Sequence, residues 1–357
     1  MKNTELKDYI CAVPFSSLEV RNSKRFLCCD GWLKKNLPEN TSPYNAWNSD
    51  EAHDIRESIL DGSYKYCEAK ICPYLNQLKT FGNLGKVEPI YHKDDLPPTL
   101  ADLINQHKSN QLNTPRVVQF SFDDSCNLKC PSCRVELIMA NSEKIKFVKQ
   151  NIIDIQNDFG NDVRTLYITG TGDPFVSVGF RDFLREFDKD KWPQLENIHL
   201  HTNATRWNKK MWDSMVNVHK YIKSCEISID AATKDTYENK VRLGGNWDEL
   251  LENLKFISTI PTLKNIKTSF VVQTHNYKEM KSFYDLMVSI FGNRVNVFYA
   301  KIINWETFTE EEFLTHKIWD TEHPLYDDFV NEINSFILKD NVWHNLQEFV
   351  NPIKKLI

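Results

Sequence analysis

The residues best suited to chemistry are cysteines, of which the 357-residue chain has nine, unevenly spaced. Three fall in one short stretch, Cys126-Asn-Leu-Lys-Cys130-Pro-Ser-Cys133. Five precede residue 75: Cys11, the adjacent pair Cys28 and Cys29, Cys67 and Cys72; Cys225 stands alone. Soft thiolates select zinc, Cu(I) or iron–sulfur clusters. A structural zinc site wants a fourth ligand close by. The nearest histidine to the triplet, His107, lies before it, and no cysteine follows until Cys225. Three sulfurs without a fourth ligand leave one coordination position open, as catalysis requires. An odd number of thiols also rules out complete pairing in disulfides.

From residue 116 onward, short apolar or β-branched runs alternate with helical stretches. The runs are Val117–Phe122, Thr165–Thr169, Asn197–Thr202, Cys225–Asp230, Thr268–Val272 and Val295–Ala300. The stretches between them are Glu143–Phe159, Phe180–Phe187, Lys209–Val218, Trp247–Ile257 and Tyr277–Phe291. Alternation at this spacing predicts a parallel sheet of βαβ units. A closed eight-stranded barrel takes about 250 residues, more than remain. The fold class expected is therefore α/β, a partial (β/α)6 barrel resembling an opened TIM barrel. The triplet follows its first strand, where such sheets place catalytic loops. Within the strands, Ile198 and Leu200 oppose His199 and His201, and Cys225 and Ile227 oppose Glu226 and Ser228. The polar parity, including Tyr167, is expected to line a concave, ligand-holding face, unless these groups simply hydrogen-bond one another. Cys225, on the other parity, is expected as a small buried hydrophobe.

A net charge of -5, 41% hydrophobic and 26% charged residues place the chain among soluble globular proteins. The mild negative charge argues against general nucleic-acid binding, which needs a basic face. Residues Met1 to Pro14 lack the apolar core of a secretory signal, and no run approaches the roughly 20 apolar residues of a membrane span. A cytoplasmic location is expected, with no membrane partner.

The triplet and its setting resemble the radical S-adenosylmethionine (SAM) superfamily. That family's hallmark is a Cys-x3-Cys-x2-Cys loop after the first strand of a partial (β/α)6 barrel. The resemblance implies that Cys126, Cys130 and Cys133 hold a [4Fe–4S] cluster whose fourth iron binds SAM. Residues Gly170, Thr171, Gly172 and Asp173 are similar to the family's Gly-Gly-Glu-Pro motif, with a Thr inserted and Asp for Glu. Asn203 stands where relatives carry Thr-Asn-Gly, and Ser228-Ile229-Asp230 resembles a Ser-x-Asp end that binds ribose. Arg242 matches an arginine that pairs with the SAM carboxylate. Ser132, before the third cysteine, replaces a residue that is often aromatic. The implied activity is reductive cleavage of SAM to methionine and a 5′-deoxyadenosyl radical, which abstracts hydrogen from a C–H bond. His201, Tyr167 and Glu226 are the candidates to orient SAM or substrate, with His201 as a candidate acid or base.

The first 75 residues pair a hairpin reaching Phe26 with a helix over Ala52–Leu60, and resemble the auxiliary-cluster modules called SPASM and twitch domains. Here the module precedes the barrel instead of following it. By that resemblance Cys11, one of Cys28 and Cys29, Cys67 and Cys72 hold a second [4Fe–4S] cluster; a zinc knot on the same thiols is the alternative. The expected domains are residues 1–75 (auxiliary module), 76–114 (linker, with a short helix over Leu100–His107), 115–301 (barrel) and 302–357 (helical cap carrying Trp305, Trp319 and Trp343). The substrate class expected first is a peptide or protein side chain. A sugar or other small polar metabolite is the alternative, and a non-catalytic zinc-binding interaction module is the competing class. An electron donor such as flavodoxin or ferredoxin is the expected partner.

Overall fold

The computed structural model describes residues 6–69, 71–75, 78, 89–335, 342, 344, 345 and 349. Its strands are β1 (Tyr9–Cys11), β2 (Ser17–Arg21), β3 (Lys24–Phe26), β4 (Ile90–His92), β5 (Val117–Phe120), β6 (Thr165–Ile168), β7 (Asn197–Thr202), β8 (Ile222–Ser228), β9 (Asn265–Val272) and β10 (Val295–Lys301). The chain is mixed α/β, and its main sheet has eight strands in the order β10-β9-β8-β7-β6-β5-β2-β3. All six expected strands are present, in sequence order. The sheet continues beyond β5: β2 pairs with it in parallel, and β3 turns back antiparallel on β2. The hairpin expected inside an amino-terminal module is thus an extension of the main sheet. A separate two-stranded ladder joins β1 to β4.

The apolar parity packs inward as the alternation requires. In β7, Ile198, Leu200 and Thr202 are buried while Asn197, His199 and His201 are half-buried. In β8, Cys225 and Ile227 are buried beside half-buried Glu226 and Ser228. This strand begins and ends earlier than the apolar run suggests. Asp230 takes φ 63°, a left-handed conformation that ends the extended backbone.

The helices that matter for the sites begin at polar caps. Helix α1 (Asp50–Leu60) starts where Ser49 Oγ accepts the Ala52 N–H at 3.2 Å. The expected 100–107 helix is α2 (Pro98–Lys108), and α3 (Ser142–Phe159) follows the cysteine loop. Ser177 caps α4 (Val178–Arg185), and Asn208 caps α5 (Lys209–Asp213). The expected helix over 209–218 breaks after this short α5, and Val216–Tyr221 forms a tighter 3-10 segment. There His219 stacks on Trp212 at 3.9 Å and bonds its carbonyl oxygen, diverting the chain. Asn246 caps α6 (Trp247–Ser258), and α7 (Met280–Phe291) follows β9. Beyond β10 the described helices are Glu310–His316 and Tyr326–Asn334. Trp305 is exposed, and Trp343 lies outside the described residues, as do residues 76, 77 and 79–88 of the expected 76–114 linker. Among the described residues no helix is long and apolar enough to cross a membrane.

The chain divides into two compact units. The first comprises Met1–Asp123, Lys146–Ile168 and Asp188–Glu196; the second comprises Asp124–Ile145, Thr169–Phe187 and Asn197–Ile357. The Cys126–Cys133 triplet lies in the second, and the five amino-terminal cysteines lie in the first.

Candidate active site and cysteine clusters

In the second unit the cysteine loop is pinned at both ends. Cys126 N–H donates to Ile138 O at 2.9 Å in an antiparallel bridge, and Lys129 N–H donates to Leu243 O at 2.9 Å. Cys133 N–H and Arg134 N–H both donate to Cys130 O, winding Cys130–Arg134 into a turn. Cys126 and Cys130 are buried, and Cys133 is exposed. Burial pushes the Cys130 thiol up to about 11, although Arg242 pulls it down.

Polar side chains converge on these sulfurs. Asn203 Nδ2 donates to Cys126 Sγ at 3.5 Å, and Arg242 Nη1 donates to Cys130 Sγ at 3.5 Å. Arg134 Nη2 donates to Cys133 Sγ at 3.5 Å and to Thr171 O at 2.8 Å. The other Arg242 nitrogen, Nη2, pairs with Asp230 Oδ2 at 2.7 Å. A π-helical turn over Tyr237–Val241 delivers Arg242, and such turns recur at functional sites.

Left-handed residues mark three consecutive strand ends. Thr169 (φ 80°), Ala204 (φ 60°) and Asp230 (φ 63°) follow β6, β7 and β8. Non-glycine residues in this region each cost roughly 1–3 kcal/mol, and such strain gathers at functional sites. Thr169 is held there by its own hydroxyl: Oγ1 accepts the N–H groups of Gly170, Thr171 and Gly172 at 2.6, 3.1 and 3.1 Å. Those amides are occupied within the turn, and Thr171 O is taken by Arg134. Asp173 is buried, and both its oxygens are engaged, by Thr202 Oγ1 at 2.7 Å, Asn203 N–H at 2.9 Å and Phe175 N–H at 2.9 Å. In this state the carboxylate holds the ends of two strands. It does not face an open site. Asn203 Oδ1 accepts from Thr205 N–H and Oγ1, which aims its amide nitrogen at Cys126.

The polar parity of the strands is paired within itself. His201 Nε2 hydrogen-bonds Ser228 Oγ at 3.0 Å, and Ser228 Oγ reaches Ser269 Oγ at 3.1 Å. His199 Nδ1 hydrogen-bonds Ser224 Oγ at 2.9 Å, and Glu226 pairs with Lys267 at 3.0 Å. Burial would raise the Glu226 carboxyl, but His201 and Lys267 outweigh it and hold the group below its ordinary value. Tyr167 stands on β6 in register with Gln119 and is 37% exposed.

In the first unit, Cys11, Cys28, Cys67 and Cys72 line one cavity with Trp32, Tyr64 and Tyr74. Cys11 ends β1, Cys28 follows β3, and Leu33 bridges to Cys67. Burial raises all four thiols, and each couples to at least one other across the cavity. Cys29 does not line the cavity; it is exposed, and its charged neighbours are Glu19 and Arg21.

Several contributors escape sequence reasoning. Arg134 carries a readable signal, a cation directly after Cys133. Glu279 does not: it accepts the Ala232 and Thr233 N–H groups of the loop after Asp230 from 46 to 47 residues away. Asn276 Nδ2 likewise holds the Asp230 carbonyl at 2.9 Å.

No protein-family model matches the sequence, and no curated protein does. Solved structures do match. Streptococcus suis SuiB bound to precursor peptide SuiA aligns at TM-score 0.42 and 15% identity, over 88% of this chain and 67% of that one. TYW1 with a lysine-pyruvate adduct bound aligns at TM-score 0.35 and 15% identity, over 55% of this chain and 68% of that one. AnSMEcpe with bound AdoMet and Cp18Cys peptide aligns at TM-score 0.39 and 16% identity, over 60% of each chain. These are radical SAM enzymes. At such overlap and identity the likenesses carry no weight by themselves; the residues of the site must.

Proposed function

We propose that this chain is a radical SAM enzyme that abstracts hydrogen from a polar substrate. The observation that carries this reading is the cysteine loop itself: three soft thiols beside parallel-strand ends, each receiving a nitrogen donor from Asn203, Arg242 or Arg134. The donor set fits an iron–sulfur cluster, since thiolates are its usual ligands and nearby cations offset their charge. Cys126, Cys130 and Cys133 would hold the [4Fe–4S] cluster. Gly170, Thr171, Gly172, Asn203, Ser228, Asp230 and Arg242 would receive SAM, with Asp173 holding that surface in shape. When bound and reduced, the cluster and SAM supply a 5′-deoxyadenosyl radical able to remove hydrogen from a C–H bond.

The chain's own residues prepare the place for this chemistry. Arg242 neutralises Asp230 and lends a donor to Cys130, keeping charge balanced in a buried site. The His201–Ser228–Ser269 chain presents a hydroxyl and an imidazole that can share a proton with a ligand. Glu226 with Lys267, and Tyr167, complete the polar lining offered to substrate. A peptide or protein side chain is the first candidate substrate, as in the peptide-bound SuiB and anSMEcpe, and a sugar or small polar metabolite is the second. Cys11, Cys28, Cys67 and Cys72 would hold a second [4Fe–4S] cluster, and flavodoxin or ferredoxin would donate electrons.

Anaerobically purified protein should absorb broadly near about 400 nm and carry about eight irons per chain. With dithionite and SAM it should form 5′-deoxyadenosine, and Cys130→Ala should abolish that product. Colourless protein holding two zincs, or unchanged product from the variant, overturns the reading.

A further inference from the structure

Outside the cysteine site, the second unit has a half-open cleft of about 340 Å³ between α4, the segment after β7, and the cysteine loop. Arg181, Arg185, Arg206 and Lys210 line it, and among the described lining residues there is no carboxylate. Four cations together are unexpected in a chain of net charge -5. Arg181 and Arg185 stand four apart on α4, where like charges repel and weaken the helix. Arg206 adds to the repulsion on Arg181, and Asp182 is the acid that opposes it.

Internal bonding does not absorb these donors. Arg181 spends one nitrogen on Phe175 O at 3.2 Å, and its buried Nε has no partner. Arg185 donates Nε to Ser214 Oγ at 3.1 Å and Nη2 to the weak acceptor Met211 Sδ at 3.9 Å. Arg206 and Lys210 are exposed on the rim. Guanidinium groups suit carboxylate and phosphate alike. The rest of the wall mixes the polar Asn127, Asn208 and Ser214 with apolar surface from Met139 and Met211, and methionines adapt to varied side chains. Bare phosphate has no use for such a wall, whereas a peptide with alternating acidic and apolar residues satisfies both parts.

We infer that this cleft binds an acidic, partly apolar peptide segment, with the four cations on its carboxylates and Met139 and Met211 under its apolar side chains. Asn127 joins the cleft to the catalytic loop: it follows Cys126, lines the cleft, and accepts from Asn203 Nδ2 at 3.1 Å. A segment seated here lies against the loop that carries the candidate cluster. The inference stands apart from the radical chemistry, because binding is read without turnover.

The test is fluorescence anisotropy with a labelled Glu-Leu-Glu-Glu-Leu-Glu peptide and the full chain. Binding should saturate and weaken about tenfold or more between about 50 mM and 500 mM NaCl, as screening shortens the reach of surface charge. The double variant Arg206→Gln/Lys210→Gln should lose about tenfold in affinity, the equivalent of two exposed charge contacts. Both positions are exposed, so its melting temperature should match the parent's. Arg181→Gln should weaken binding further. A peptide with Gln for every Glu should not bind. Unchanged affinity in the double variant, or equal binding of the Gln peptide, overturns the inference. Displacement of the peptide by pyrophosphate at lower concentration than by unlabelled peptide also overturns it, in favour of a phosphate site.

Discussion

Arg242 stands between Asp230 and Cys130: Nη2 lies 2.7 Å from Asp230 Oδ2 while Nη1 donates to Cys130 Sγ at 3.5 Å. One guanidinium thereby ties the end of β8 to the cysteine loop. Burial raises the Asp230 carboxyl, and the neighbouring Arg242 charge works against that rise. Removing one member of such a pair strands the other charge in the interior, at about 3–5 kcal/mol. Asp230→Asn should therefore lower stability by that amount in urea unfolding. The double variant Asp230→Asn/Arg242→Gln should recover part of the loss, because neither charge is then unpaired.

Asp173 makes a different prediction. Its carboxylate accepts from Thr202, Asn203 and Phe175, and burial raises the carboxyl while those donors oppose the rise. An asparagine there turns one acceptor into a donor facing donors. Asp173→Asn should cost about 2–3 kcal/mol of stability, the range of a buried hydrogen bond to a charged group. Hydrogen exchange should show the Asn203 and Phe175 amides losing protection first. Protection unchanged at both would refute this role.

Gly245 is required for space. A Cβ built there would lie 2.5 Å from Tyr237 Cε1 and 3.0 Å from Arg242 O. Tyr237 is fully buried and cannot swing clear, so the strain falls on the turn that carries Arg242. Gly245→Ala should destabilise by about 1–3 kcal/mol, as overpacked sites do. A melting temperature equal to the parent's would contradict the packing.

Acid sensitivity should come in part from His199. Burial, with His201 and Lys267 adding and Glu226 opposing, lowers this imidazole from 6.5 to about 4. The unfolded chain then takes up the proton first as pH falls. The stability His199 contributes is whole above about pH 6.5 and is lost between there and about pH 4. The loss should be about 1–3 kcal/mol, with partial exposure trimming the upper figure. His199→Gln, able to keep the Ser224 contact, should flatten the stability profile across that window.

What the residues disclose in advance is whatever depends on local pattern. Strand β7 matches its apolar–polar alternation residue for residue, and the buried parity of Cys225 follows from the same rule. The triplet is legible because its spacing is short and its chemistry narrow. Long-range devices are not legible. Glu279 and Asn276 brace the Asp230 loop from more than forty residues away, and nothing in their neighbourhoods marks them. Nor does spacing reveal that β2 lies beside β5, since both strands are short and β2 places only Leu18 and Val20 between polar residues, so several partners would suit it. Strain is equally hidden: Thr169 reads as the last residue of a strand until its hydroxyl gathers three amides and turns the chain.

The adjacent pair Cys28 and Cys29 offers the sharpest separation of two residues alike in sequence. Cys28 lines the cavity with Cys11, Cys67 and Cys72, and burial raises its thiol well above the ordinary value. Cys29 is exposed and outside that lining, and burial, with Glu19 and Cys72 adding and Arg21 opposing, pushes its thiol up to about 11. If the four cavity thiols hold a second cluster, Cys28→Ser should remove about four irons per chain while Cys29→Ser leaves the count near eight. In protein stripped of metal, the order of thiol labelling should run the same way, with exposed Cys29 modified by a maleimide ahead of half-buried Cys28. Equal iron loss in both variants would mean that the pair exchanges roles. Loss confined to Cys29→Ser would place the ligand on the exposed side and remove the cavity from consideration as the cluster site.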